Sequence, residues 1–233
     1  MLLRGDAYAE RCPTIVLHGA GKSSRARFSQ MRAGLDACGL PSVSFDFIGH
    51  GETGGKITDS SLHDRTAQAA TVIRHACAEP LTLIAASMSA YTAIKLTAQF
   101  AVNNLILMVP AVYTPEAYDL AFGPRFSAAI RVPGSWRDSD AFGILEGFTG
   151  NLLVIAAAHD HVIPRDVIER IHGSGKRART NLLHIVPDSE HLSLFPRITD
   201  RQKAIDLIVQ LCRSGRGDKP ESGGAASRPP RGY

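Results

Sequence analysis

The sequence predicts an α/β protein, a mostly parallel sheet with helices on both faces. Two observations carry this. Short apolar runs rich in Val, Ile and Leu alternate along the chain with longer segments of helical spacing, which is the pattern of strands buried on both faces and joined by helices. The second observation is local. Residues 81–85, Leu-Thr-Leu-Ile-Ala, run towards Ser87, and a helix-like stretch follows at once from Met88 to about Phe100. A buried strand that stops at a serine and turns directly into a helix is a nucleophile elbow. It lifts the hydroxyl clear of the sheet and aims the first helical N–H groups at whatever the hydroxyl attacks.

The remaining elements follow in order. Residues 14–19 read as a buried strand ending in a loop at 19–24, and a helix over 27–38 carries Phe28, Met31, Leu35 and Cys38 at helical spacing. Gly39 stops that helix and Pro41 enforces a turn into a second strand, 42–47. A glycine-rich loop covers 49–56, and Ser60 or Ser61 caps a helix reaching to about residue 78. After the elbow helix comes an apolar strand at 104–109, broken by Pro110. The rhythm resumes with a strand at 152–157, a helix at 165–171, a strand at 181–186 and a helix at 196–212. Residues 1–213 are read as one domain, and 214–233, rich in Gly, Ser and Pro, as a disordered tail.

Composition narrows the function classes. The chain has 233 residues and a formal net charge of +4. The tail holds Arg216, Lys219, Arg228 and Arg231 against Asp218 and Glu221. Little basic charge is left for the body, and nucleic acid is not implied. Cys12, Cys38, Cys77 and Cys212 are scattered without metal-binding spacing, and they read as reduced thiols of a cytoplasmic protein. No apolar run approaches membrane-spanning length, and the N-terminus lacks a signal-peptide core. Oligomeric state is not legible.

In a parallel sheet the active site lies outside the carboxyl ends of the strands. A serine needs a base to take its proton, and that base is usually a histidine oriented by a carboxylate. Asp160 follows the strand at 152–157, and His191 follows the last strand. The chain order Ser87, Asp160, His191 is that of Ser…Asp…His hydrolases and differs from chymotrypsin and subtilisin. Each residue alone has an ordinary reading: a helix cap for Ser87 or Asp160, a solvated loop residue for His191. Asp138, Asp140, Asp188 and Glu190 are rival acids. His159 and His161 lack companions for a metal site, so no metal is expected. The oxyanion donors are expected at the backbone N–H groups of Met88 and Ala20, with His18 bracing the loop.

These stretches resemble the α/β-hydrolase superfamily. They are Leu17-His18-Gly19-Ala20-Gly21, then Phe45-Asp46-Phe47-Ile48-Gly49-His50-Gly51, the serine elbow, Asp160 with Ile163-Pro164, and His191. The second stretch is similar to bacterial carboxylesterases of the cinnamoyl and feruloyl esterase type. The elbow, Ala85-Ala86-Ser87-Met88-Ser89-Ala90, is similar to the acyl-transferase and thioesterase that feeds bacterial bioluminescence. The resemblance implies a serine esterase or thioesterase that acts on a small-molecule acyl substrate through an acyl-enzyme and needs no cofactor. Ser87 would be its nucleophile, Asp160 its acid and His191 its base. Two departures stand out. Ala85 and Ser89 replace the elbow glycines, and the antiparallel hairpin usual before the first parallel strand is short or absent.

Residues 113–150 hold about half of the aromatic residues and fall where this superfamily inserts a cap. Tyr113, Tyr118, Phe122 and Trp136 are expected to line an acyl or aryl pocket, alongside the apolar contacts that any insertion needs. Alternatives from other classes are an acyltransferase with a carrier-linked partner, a binding protein on a hydrolase scaffold, and nucleotide binding at Gly19–Ser24. The last lacks the first glycine of a phosphate loop, which would fall at Val16.

Overall fold

The computed structural model describes residues 2–214, so the expected disordered tail lies outside the described residues beyond Ser214. The strands are β1 (Arg4–Ala7), β2 (Cys12–Leu17), β3 (Ser42–Asp46), β4 (Cys77–Ala86), β5 (Val102–Met108), β6 (Asn151–Ala157) and β7 (Thr180–Val186). They form one seven-stranded sheet in the order β1-β3-β2-β4-β5-β6-β7. All neighbours are parallel except β1, which pairs antiparallel with β3. A single four-residue strand therefore stands where a hairpin is usual.

The helices are α1 (Ser29–Ala37), α2 (Leu62–Ala76), α3 (Ser89–Leu96), α4 (Pro124–Arg131), α5 (Ala141–Gly147), α6 (Arg165–Ser174) and α7 (Ile198–Ser214). Ser61 caps α2, its hydroxyl accepting from the Asp64 N–H. The structure adds β1, α4 and α5 to the elements read from the sequence, and the others differ at their ends. The α2 helix stops at Ala76 because β4 begins at Cys77, where the register opposite Cys12 of β2 already pairs.

Strand alternation sorts the core into two layers. Ile15, Leu17, Leu83, Ala85, Leu105, Leu107, Leu152 and Val154 face one way, into a cluster that includes residues of α2, α3, α5 and α6. Val16, Ile84, Ala86, Ile106, Met108, Leu153 and Ile155 face the other way, against Met31 and Leu35 of α1 and Ile205 and Ile208 of α7. The insertion after β5 contributes short 3₁₀ turns together with α4 and α5, and its rings Phe122, Phe126, Phe142 and Phe148 join the first layer. No described helix is long and apolar enough to cross a membrane.

Candidate active site

Ser87 sits between β4, the middle strand of the sheet, and α3. Its φ is 50°, a left-handed value that a non-glycine residue adopts only under constraint from its surroundings. Two bonds supply that constraint. The Ser87 N–H donates to Met108 O at 2.9 Å, and its carbonyl accepts from Ala111 N at 3.1 Å. The residues flanking the turn are small and fully buried. The Ser89 hydroxyl donates to His18 O at 2.5 Å. The serine that replaces the second glycine thus ties the elbow helix to the loop after β2.

Asp160 and His191 come to Ser87 from the outer strands. Ser87 Oγ and His191 Nε2 are 3.0 Å apart, and His191 Nδ1 and Asp160 Oδ2 are 2.9 Å apart. The His191 and Asp160 side chains are 9% and 7% exposed, so this relay is largely shielded from water. Asp160 Oδ1 also accepts from Val162 N and Ile163 N, each at 2.8 Å, which fixes the plane of the carboxylate. Ser189 joins the two loops. It is buried, its hydroxyl donates to Val186 O and accepts from Ala158 N, and its carbonyl accepts from His159 N. The rival acids lie elsewhere. Asp140 accepts from the Tyr91 hydroxyl and from Lys95, each at 2.6 Å, Asp188 faces Arg197, and Asp138 and Glu190 are exposed.

The loop after β2 packs against the serine. A Cβ on Gly19 would lie 3.3 Å from Ser87 Cβ, so only glycine passes here without displacing a neighbour. Among the described residues no acceptor takes the N–H of Ala20 or of Met88, which leaves both free for an incoming oxygen. His18 is fully buried beneath this loop. Its Nδ1–H donates to Gly19 O at 2.7 Å, and its Nε2 accepts from Phe47 N at 3.2 Å. Both roles require neutral imidazole. Burial, then the Arg65 and His50 charges, push its pKa down to about 3.

Three features of this region were not singled out from the sequence. Arg65 is fully buried, and its Nη2 donates to His18 O, Gly19 O and Ser89 Oγ at 2.8, 3.2 and 2.8 Å. Its guanidinium lies 3.7 Å from the centre of the Phe47 ring. The sequence signal was an arginine on the apolar stripe of α2, in line with Leu62, Ala69 and Ile73. Asp46 is the second feature. Burial would raise its pKa, but the amides of Arg25 and Glu52 and the Arg25 guanidinium outweigh that and hold it low. It anchors two site loops at once, so the Phe45–Gly51 stretch is a brace. The Ser189 clamp is the third.

A cavity of about 690 Å³ opens beside Ser87 and His191. Its apolar wall includes Phe28, Met31, Met108, Val109, Leu194 and Phe195, from the α1 and α7 face of the sheet. Tyr113, Tyr118, Phe122 and Trp136 do not line it. They pack in or against the opposite layer, with Tyr113 and Tyr118 edge-on to Tyr91 and Trp136 against Phe142. The insertion packs on the face of the sheet opposite this cavity, so these four rings are not part of its wall. The phosphate-loop alternative also fails on geometry. No α-helix starts at Ser23, since a 3₁₀ turn, Arg25–Phe28, intervenes before α1. Among the described residues no group of His, Cys, Asp and Glu is arranged to hold a metal, and no disulfide joins any of the four cysteines.

The fold and the comparisons define an α/β-hydrolase, and the protein is a hydrolytic enzyme. It belongs to the family described as serine aminopeptidase, S33, which matches residues 11–135, more than half of the chain. No curated protein sequence matches it. Among solved structures, a monoacylglycerol lipase of Paleococcus ferrophilus aligns at 16% identity and TM-score 0.70, covering 91% of this chain and 100% of that one. Est1E of Butyrivibrio proteoclasticus, solved with ferulic acid bound, aligns at 16% identity and TM-score 0.66, covering 91% and 96%. A thioesterase domain of the curacin biosynthetic pathway aligns at 14% identity and TM-score 0.64, covering 90% and 100%. At these identities the likeness is one of fold.

Proposed function

We propose that the protein is a serine hydrolase of carboxylic esters or thioesters, working through Ser87, His191 and Asp160. The observation that carries this reading is the continuous relay from Ser87 Oγ through His191 to Asp160, at 3.0 and 2.9 Å, on a serine held at φ 50°. His191 Nε2 takes the Ser87 proton as Oγ attacks the carbonyl carbon, and Asp160 stabilises the imidazolium that forms. The oxyanion accepts from the Ala20 and Met88 N–H groups. Collapse of the tetrahedral intermediate expels the alcohol or thiol, which takes the proton from His191. Water, deprotonated by the same imidazole, then releases the acid and restores Ser87.

The family description includes aminopeptidases, whose substrates carry a free ammonium. No carboxylate lines the cavity beside Ser87, so nothing there would pair with that ammonium. This favours esters over N-terminal peptides. An acceptor other than water would make the same acyl-enzyme a transferase.

The test is a burst assay with p-nitrophenyl esters of graded chain length on wild type and Ser87→Ala, with fluorophosphonate labelling alongside. Ser87→Ala is expected to lower kcat on the order of 10⁶-fold, following the behaviour of serine proteases. Turnover that survives the substitution, or a wild-type protein that neither turns over esters nor takes the label, would refute the reading.

A further inference from the structure

We infer that the cavity beside Ser87 binds the anionic group of an acyl substrate, so that the preferred ester or thioester carries a carboxylate or phosphate away from its reacting carbonyl. This rests on the serine-hydrolase reading. The cavity lining contains Lys22, Arg27 and Arg201 and no Asp or Glu. The three cations come from different elements: the loop after β2, the 3₁₀ turn that follows it, and the first turns of α7. Packing of these elements, rather than a basic run in the sequence, brings the charges to one mouth.

Their charge is not neutralised locally. Five carboxylates of this region are engaged by other cations. Arg25 holds Asp6, Asp46 and Glu52, and Arg197 holds Asp188 and Asp200. Glu190, next to His191 in sequence, does not line the cavity. The Arg27 guanidinium donates to the carbonyl of Leu192, a neutral acceptor one residue from His191. That bond fixes the arginine while leaving its charge free. Arg201 is half-buried, where a charge is screened less than on open surface.

The other wall is apolar, with Phe28, Met108 and Phe195 among its members. An acyl chain of several carbons with an anion at one end matches both walls. The anion has two sources, the far end of the acyl group or a phosphorylated leaving group such as the coenzyme A moiety of a thioester. A concave mouth of one sign also raises the encounter rate of an oppositely charged substrate, in a way that salt suppresses.

The experiment compares matched substrates on the full chain. p-Nitrophenyl heptanoate is set against mono-p-nitrophenyl pimelate and its ω-phosphonate analogue, and hexanoyl-coenzyme A against the N-acetylcysteamine thioester of hexanoate. At least one charged member is expected to exceed its neutral partner about tenfold or more in kcat/KM at low salt, a preference that shrinks at about 0.5 M salt. The Lys22→Gln/Arg201→Gln double variant is expected to lose the preference, and Arg201→Lys to keep most of it. The winning arm names the source of the anion. Equal kcat/KM for charged and neutral members of every pair, or a preference that neither salt nor the double variant changes, overturns the inference. Calorimetry on Ser87→Ala with hexylphosphonate against hexanol reads the site without turnover. Binding of the phosphonate alone upholds the anion site even if no ester is cleaved, in which case only the hydrolase reading falls. Failure to bind it, together with turnover of neutral esters, sinks the anion site and leaves the hydrolase intact.

Discussion

Lowering the pH from 7 to 5 should destabilise the fold through His18, independently of any effect on catalysis. His18 is fully buried, and its two ring nitrogens are committed, one donating to Gly19 and one accepting from Phe47. A second proton would set Nε2–H against the Phe47 N–H. The folded pKa is about 3, against 6.5 for the exposed side chain. The unfolded chain therefore binds the proton first. Stability is full above pH 6.5 and falls as pH drops below it, the loss levelling off near pH 3. One pKa unit corresponds to about 1.4 kcal/mol, and integrating from pH 7 to 5 gives a loss of about 2 kcal/mol from this residue. The assay is urea unfolding at pH 7, 6 and 5, followed by fluorescence of Trp136, the single tryptophan, on wild type and His18→Gln. The variant will be less stable at pH 7, because glutamine does not reproduce both bonds. The informative quantity is the slope. Wild type should lose about 2 kcal/mol more than the variant between pH 7 and 5. Parallel pH profiles for the two proteins would refute the argument that a neutral, buried imidazole holds this loop.

Other predictions follow from single contacts. Asp160→Asn keeps an oxygen for the Val162 and Ile163 amides but turns an NH₂ towards His191 Nδ1, so kcat should fall about 10⁴-fold with little change in unfolding midpoint; an unaltered rate would move the acid role elsewhere. Arg65→Met removes the donor that holds the His18 and Gly19 carbonyls. Each carbonyl keeps another partner, Ser89 Oγ and His18 Nδ1, so the fold should persist. A slackened oxyanion loop should cost about 1.4 kcal/mol of transition-state stabilisation, tenfold in kcat. A wild-type kcat would show that the loop holds its shape alone. Gly49→Ala places a Cβ 2.3 Å from Ile57 N at φ +79° and should destabilise by more than about 2 kcal/mol. Gly143→Ala, in open space within α5, should stabilise by about 0.5–1 kcal/mol. Thermal unfolding of the two variants checks both signs.

The fold was legible because strands buried on both faces leave apolar runs of fixed length, and because Ser87 lies where such a run meets a helix. That Asp160 and His191 would approach Ser87 was legible because a parallel sheet collects its strand-end loops on one side, so position in the alternation stood in for distance. What lay beyond reach depended on parity and on cross-chain contact. The rings of residues 113–150 announce an insertion, but nothing in their spacing says which face of the sheet receives it. Arg65 looked like one polar residue on a helix; only the packing of α2 beneath the β2 loop gives its charge a place. Ser189 was one more loop serine until the ends of β6 and β7 were seen side by side.

Sheet position sets how each part of the relay responds to local opening. Ser87 is carried by β4, flanked by strands on both sides, whereas His191 follows β7, an edge strand whose side chains are mostly half-exposed. Amides of β4 should exchange with deuterium only when the whole domain unfolds, and those of β7 through cheaper fraying of the edge. Because Ser189 fastens the His191 loop to the Asp160 loop, the proposed base and acid should detach together while Ser87 stays in place. On warming, the ester turnover proposed for this site should therefore cease reversibly several degrees before the core melts, as one cooperative unit letting go of another.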